Sequence, residues 1–99
     1  MDAMSELDLS EIREEIDRID RQMIALFQQR LGCVCDVARY KHANGLPIFD
    51  ETREKAVIAK RQAQVEPEIK AAVGQFMQAV MDTCKLVEAD VIDRLEKSH

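Results

Sequence analysis

The fold is decided by residues 10–44, SEIREEIDRIDRQMIALFQQRLGCVCDVARYKHAN, which predict one helix of about 35 residues. The stretch has no proline, and Gly32 is its only glycine. At about 100° per residue, seven apolar side chains fall in one band about 80° wide. They are Ile12, Ile16, Ile19, Met23, Leu26, Val34 and Val37. We predict that this band is the buried face of the helix.

Two cations interrupt the apolar band. Arg30 and Lys41 fall near its middle, at about 0° and 20° from its first residue on the same helical count. A buried charge needs a partner, because its desolvation is costly. That partner is either an acidic side chain, such as Asp17, Glu54 or Glu88, or a bound dianion.

Length and composition predict a small all-α protein. The 99-residue chain has the size of one domain, and its four aromatic residues, three glycines and two prolines favour helix. We expect a single domain over residues 1–99, with residues 1–7 frayed. The net charge of −5 argues against a nucleic-acid partner, because phosphate binding needs a concentrated basic surface. A local pocket of cations could still bind a small anion.

The termini and cysteines suggest a cytoplasmic protein with no membrane partner. The first residues lack the basic and apolar segments of a signal peptide, and no apolar run approaches the ~20 residues of a membrane span. The odd number of cysteines, Cys33, Cys35 and Cys84, argues against a disulfide framework. Cys33 and Cys35 point about 160° apart on a helix, so an intact helix cannot direct both at one metal. Structural thiols are favoured over zinc or redox chemistry.

Local signals limit the long helix. Asp8, followed three residues later by Glu11, offers a capping-box-like start, and Ser10 is the competing cap. Asn44-Gly45 supplies a C-cap, and Pro47 forbids further helix. The chain must therefore turn soon after the end of this segment.

Two more helices are predicted after the turn. Asp50 caps a short helix over residues 50–64, and Pro67 suits the first turn of a third helix that extends to about residue 97. The apolar stripe of the third helix consists of Ile69, Val73, Phe76, Val80, Val87 and Val91. Thr83 and Cys84 interrupt this stripe, and Glu88 lies on its edge.

The length of the first helix predicts a dimer. A helix of this length extends ~50 Å, whereas a compact chain of this size has a radius of gyration of ~13 Å. A second, antiparallel copy would cover the excess apolar surface; the alternative is an extended three-helix monomer. Arg13 and Arg30 are ~25 Å apart along the helix, too far to hold one small molecule. An antiparallel partner would bring its Arg13 near Arg30 and Lys41, which gives two shared pockets per dimer.

Five sequence blocks together resemble the all-helical (AroQ-class) chorismate mutases over about residues 9–95. The blocks are IREEIDRID with Arg13, LFQQRL with Arg30, VARYK ending at Lys41, NGLPIFDETRE with Asp50, Arg53 and Glu54, and VMDTCKLVE ending at Glu88. The turn block after VARYK is the most specific, because charged helices such as the first block also occur in coiled coils.

The resemblance implies an intertwined homodimer of three-helix chains, each with a long, a short and a long helix. It also implies rearrangement of chorismate to prephenate in the shikimate pathway of aromatic amino acid biosynthesis. This Claisen-type shift needs no metal or other cofactor. It requires selection of the compact substrate conformer and positive charge beside the breaking ether oxygen.

The resemblance also assigns roles to the cations. The partner's Arg13 and the chain's own Arg30 would bind the two carboxylates of the dianionic substrate, a task suited to the guanidinium fork. Lys41 would contact a carboxylate and the ether oxygen, which makes it the main electrostatic catalyst.

Further contacts to the substrate are implied from the second and third helices. Glu54 would accept a hydrogen bond from the ring hydroxyl, helped by the backbone at Asp50, and Arg53 would shape the pocket. Cys84 stands where many relatives have Ser, which could alter a hydrogen bond in the pocket.

Glu88 stands where many bacterial relatives have Gln, whose amide donates to the ether oxygen. Because an ionised carboxylate cannot donate, we predict that Glu88 acts in its protonated form. The alternative is an exposed helix residue paired with Lys85 or Lys41.

Two other functions stay open. An isochorismate-pyruvate lyase would resemble this chain in fold and cation set, but the D-x-x-R-E block at Asp50, Arg53 and Glu54 looks more like the mutase pattern. A non-catalytic helical dimerisation or regulatory module is the second alternative.

Overall fold

The structure, a computed structural model, describes residues 7–98, which form helices joined by short connections. The elements are α1 (Leu9–Ala43), α2 (Glu51–Gln62), a 3-10 turn (Pro67–Ile69) and α3 (Lys70–Lys97). No strand occurs among the described residues, so the predicted all-helical order of long, short and long helices is confirmed. Apart from Leu7, which is exposed and precedes α1, the segment predicted to fray lies outside the described residues.

Two aspartates begin the first two helices. An Asp8 Oδ1 oxygen accepts hydrogen bonds from the backbone N–H groups of Ser10 at 2.8 Å and Glu11 at 3.4 Å. Asp8, and not Ser10, is therefore the cap of α1. At the start of α2, the Asp50 Oδ1 oxygen accepts from the backbone N–H of Arg53 at 3.0 Å. Each carboxylate satisfies N–H groups that have no partner inside the helix.

The cap of α2 leads to a prediction about stability. Asp50→Ala is expected to lower the free energy of unfolding by about 1 kcal/mol, because it removes the cap but keeps the backbone. Asp50→Asn is the matched control, since an asparagine caps nearly as well. Both are measured by denaturant unfolding at one protein concentration. An Ala variant as stable as the unmodified chain would contradict the capping role.

The end of α1 turns the chain sharply. Gly45 has a φ of 65°, a left-handed conformation that glycine adopts without strain. The Leu46 N–H donates to the Lys41 carbonyl at 2.9 Å, and the Gly45 N–H donates to the His42 carbonyl at 3.4 Å. These two bonds form a Schellman motif, which ends the helix and leads into the connection to α2.

The described residues fall into two compact units, 7–30 and 31–98, and α1 contributes to both. The first unit contains a single helix, in which only Phe27 and Arg30 are even half-buried. Five residues of the predicted buried band are 40% to 63% exposed: Ile12, Ile16, Ile19, Met23 and Leu26. In the single chain, this part of the predicted band is therefore not buried. The first unit is one helix and offers no second apolar surface on which the band could pack.

The second unit holds the buried residues. They are Ala38 from α1, Val57 from α2, and Met81, Cys84 and Glu88 from α3. The last three are three and four positions apart, so they share one face of α3. In the same unit, Val34 of the predicted α1 band is half-buried and Val37 is exposed.

The buried face of α3 differs from the predicted stripe. Ile69 and Phe76 were predicted in the stripe but are about half exposed. The four valines of the stripe, Val73, Val80, Val87 and Val91, are half-buried. The elements packed against a helix determine which of its faces is buried. The neighbour of α3 within the chain is α2, which has only 12 residues against the 28 of α3. None of the described helices combines the length and the apolar character needed to cross a bilayer.

Candidate functional site

A buried ion pair joins the end of α1 to α3. The Lys41 Nζ donates to the Glu88 Oε1 at 3.0 Å and to the Ile48 carbonyl oxygen at 2.7 Å. Only 17% of the Lys41 side chain and 7% of the Glu88 side chain are exposed. Glu88 therefore pairs with Lys41, one of the two partners named in the alternative prediction. It is buried, so the other part of that alternative, an exposed helix residue, is wrong. The turn after α1 presents the Ile48 carbonyl, so local backbone geometry helps to fix the ammonium.

A second cluster surrounds Glu54 of α2. The Lys85 Nζ of α3 lies 3.0 Å from the Glu54 Oε2 and 3.3 Å from its Oε1. Gln78 Nε2 donates to the Glu54 Oε1 at 3.3 Å and to the Asp82 Oδ1 at 3.0 Å. The Lys85 ammonium also lies 3.2 Å from the Asp82 Oδ1 and 4.6 Å from the centre of the Phe49 ring. The Glu54 carboxylate is therefore held by two side chains of one helix.

The titration behaviour of this cluster follows its hydrogen bonds. The bond to Glu54 raises the pKa of Lys85, and Asp82 adds to the effect, against partial desolvation. The bond from Gln78, followed by that from Lys85, lowers the pKa of Asp82. Both shifts favour a network of charged groups at neutral pH.

The remaining predicted residues of this unit have distinct surroundings. The Asp50 side chain caps α2, and its backbone carbonyl oxygen accepts from the Glu54 N–H at 3.0 Å. Arg53 is exposed, and its guanidinium forms no ion pair within residues 7–98. Cys84 is buried, one turn before Glu88 on the same face of α3. The structure therefore places Lys41, Glu54, Cys84 and Glu88 in partly or fully buried positions.

Arg13 and Arg30 belong to the first unit. Arg13 is exposed on α1, and Arg30 is half-buried. Their roles as carboxylate ligands stay predictions.

The cysteines are spread over different environments. Cys33 is exposed, Cys35 is half-buried and Cys84 is buried. Among residues 7–98, no group of three His, Cys, Asp or Glu side chains is placed to hold a metal ion.

The polar cluster around Glu54 is not predicted from the sequence. Gln78, Asp82 and Lys85 are four and three positions apart on α3, so they lie on one face of that helix. This spacing is visible in the sequence, but the apolar stripe of α3 predicts only which hydrophobic positions are buried. Only the structure shows that the polar face meets Glu54.

A family model and a relative of nearly equal length carry the same name. Residues 12–89 match the family model described as chorismate mutase type II. The chain is 28% identical over 93 residues to "Chorismate mutase" of Methanocaldococcus jannaschii, covering 92% of this chain and 94% of that protein. No solved structure matches.

Two longer relatives match over part of their length. The chain is 43% identical over 58 residues to "T-protein" of Haemophilus influenzae, which covers 59% of this chain but 15% of that protein. It is 31% identical over 80 residues to "3-dehydroquinate dehydratase" of Pyrobaculum aerophilum, which covers 81% of this chain and 24% of that protein. The chain thus spans a small part of these two relatives and nearly all of the archaeal mutase.

Proposed function

The chain belongs to the chorismate mutase type II family, and we propose that it catalyses the rearrangement of chorismate to prephenate in aromatic amino acid biosynthesis. The observation that carries this proposal is the family match, which extends over residues 12–89 and includes every predicted site residue. The relative of nearly equal length, itself named chorismate mutase, supports it. Such a reaction makes the protein an isomerase.

Lys41 is the proposed electrostatic catalyst. An ammonium has three donors, and Lys41 gives two of them to the Ile48 carbonyl and to Glu88. The third donor would bind the ether oxygen of chorismate, which gains negative charge as its bond to carbon breaks. Because the ammonium is held in place and only slightly exposed, little reorganisation is needed at the transition state.

The substrate's polar groups define the other roles. Arg30 and a partner's Arg13 would bind the two carboxylates, and Glu54 would accept the ring hydroxyl. The backbone at Asp50 would help Glu54, and Arg53 would shape the pocket. Together these contacts would hold the compact conformer in which the two reacting carbons meet.

We propose that the active form is an intertwined homodimer with shared sites. The exposed apolar residues of the first unit support this assembly, since a partner helix would remove them from water. The ~25 Å between Arg13 and Arg30 along one helix supports the sharing, because both can reach one substrate only if they come from different chains.

The direct test follows chorismate in the presence of the purified chain, with a sizing column run in parallel. We expect loss of chorismate, formation of prephenate and elution as a dimer. Pyruvate released from isochorismate much faster than prephenate forms from chorismate would instead identify a lyase. An unchanged pool of both substrates would favour the non-catalytic module.

The protonation of Glu88 gives a separate prediction about pH. One Glu88 oxygen accepts from Lys41, and the other could carry the proton donated to the ether oxygen. Turnover is then expected to fall as the pH rises, because the ionised form of Glu88, which forms the ion pair with Lys41, cannot donate. Glu88→Gln keeps a donor at all these pH values and should flatten the fall.

The measurement is kcat for chorismate between about pH 5 and pH 9. Asp93→Asn is a suitable control, since Asp93 is an exposed carboxylate on the same helix and pairs with Lys97. A flat profile in the unmodified chain would argue against a protonated Glu88.

A further inference from the structure

Two side chains of α3 hold the Glu54 carboxylate of α2 in place. Its side chain is 13% exposed, and Lys85 contacts both of its oxygens, at 3.0 Å and 3.3 Å. Gln78 adds a third contact, a hydrogen bond to Oε1. A carboxylate has about four acceptor sites, so these contacts leave about one for a ligand.

Lys85 is in turn fixed from two other directions. The Asp82 carboxylate lies 3.2 Å from its Nζ, and the Phe49 ring centre lies 4.6 Å away. An ammonium beside a carboxylate and over an aromatic face is attracted to both. The raised pKa of Lys85 agrees with a group that stays charged. Lys85 therefore has few alternative positions, although 27% of its side chain is exposed.

We propose that Lys85 is a positioning residue that holds the ionised Glu54 carboxylate in the orientation that accepts the ring hydroxyl of chorismate. This inference rests on the proposed function. It makes Lys85 a determinant of specificity for the hydroxylated substrate, although the residue itself does not touch the reacting atoms. Nothing in the five blocks of the family resemblance assigns this role to Lys85.

The positive charge of Lys85 contributes to this positioning, in addition to the length of its side chain. The ammonium attracts the Glu54 carboxylate, so it holds the hydroxyl acceptor in place by charge as well as by hydrogen bonding. A carboxylate free to rotate would also have to be ordered when substrate binds, which weakens binding. Both effects act on the hydroxyl contact, which exists before and during the reaction. Loss of Lys85 should therefore raise KM and leave kcat nearly unchanged.

The test compares two substrates, chorismate and its analogue without the ring hydroxyl. In Lys85→Met, KM for chorismate is expected to rise about tenfold, while kcat stays within about twofold. KM for the analogue should not change, because the analogue has no hydroxyl for Glu54 to accept. Lys85→Arg, which keeps the charge, should restore much of the affinity for chorismate.

Two further variants separate positioning from a general effect on the fold. Lys97→Met removes another lysine of α3, which pairs with Asp93 on the surface, and should change neither KM. Combining Lys85→Met with Glu54→Gln should raise KM for chorismate no further than Glu54→Gln alone, because both changes remove the same contact. If Lys85→Met does not fold, the same comparison is made with Lys85→Gln.

The outcomes distinguish this inference from the function on which it rests. An unmodified chain that leaves chorismate unchanged would overturn both. An active unmodified chain whose Lys85 variants bind chorismate normally would overturn the positioning role alone. An equal rise in KM for chorismate and for the analogue would also overturn it, since a loss unrelated to the hydroxyl indicates a structural role only.

Discussion

Replacing Lys41 with Gln is expected to lower kcat for chorismate by about a hundredfold to a thousandfold, the usual loss when a preorganised donor to a developing oxyanion is removed. In this chain the ammonium is fixed by the Ile48 carbonyl at 2.7 Å and by Glu88 at 3.0 Å. A glutamine can still donate a hydrogen bond but carries no charge. The loss should therefore appear in kcat, where charge develops, more than in KM.

The control must separate catalysis from folding. Lys41→Gln leaves the buried Glu88 without its cation, and breaking a buried pair is strongly destabilising. The double variant Lys41→Gln, Glu88→Gln removes both charges and should recover stability in denaturant unfolding without recovering turnover. A folded Lys41→Gln variant with kcat within about tenfold of the unmodified enzyme would contradict the role of Lys41.

Arg13→Ala and Arg30→Ala are each expected to lower kcat/KM by about a hundredfold or more. Each change removes a charged, forked donor to a carboxylate, and hydrogen bonds between charged groups are among the strongest in proteins. The effect of Arg13 is the more informative, because Arg13 is exposed in the single chain. An exposed arginine that contacts nothing important could be replaced at almost no cost.

Arg18→Ala is the matched control for both variants. Arg18 is exposed on the same helix and pairs with Glu15, one turn away. Such surface pairs contribute little to stability, so this variant should retain full activity. Equal activity of Arg13→Ala and Arg18→Ala would mean that Arg13 takes no part in the site.

The limits of the helices could be predicted because their signals are local. Asp8, Asp50 and Gly45 act within a few residues of their own positions, and each forms the cap or turn that the sequence indicates. Pro67 also opens a helical segment, although its first turn is a 3-10 helix. Short-range hydrogen bonds need no knowledge of the rest of the chain.

Burial and polar contacts between helices were harder to predict. Periodicity identifies the apolar band of α1 but not the surface that covers it, so Ile16 and Leu26 are exposed in the single chain. The sequence allows several acidic partners for Lys41, and Glu88 is one of them. The sequence offers Lys85 as a partner of Glu88, whereas the structure places it against Glu54, 31 positions earlier. Contacts between residues so far apart depend on packing.

Subunit mixing tests the central claim, a chorismate mutase with sites shared between two chains, most directly. Equal amounts of Arg13→Ala and Arg30→Ala chains are unfolded, mixed and refolded together, and prephenate formation is measured. Half of the dimers should then contain one chain of each kind. In such a dimer, one site receives both arginines and the other receives neither.

About a quarter of the unmodified activity should return after random mixing, since half of the dimers each regain one of two sites. A mixture of Arg30→Ala and Lys41→Gln chains is the control and should stay inactive, because both residues are proposed to serve the site of their own chain. If the Arg13→Ala and Arg30→Ala mixture is no more active than the two variants measured separately, the sites are not shared between chains.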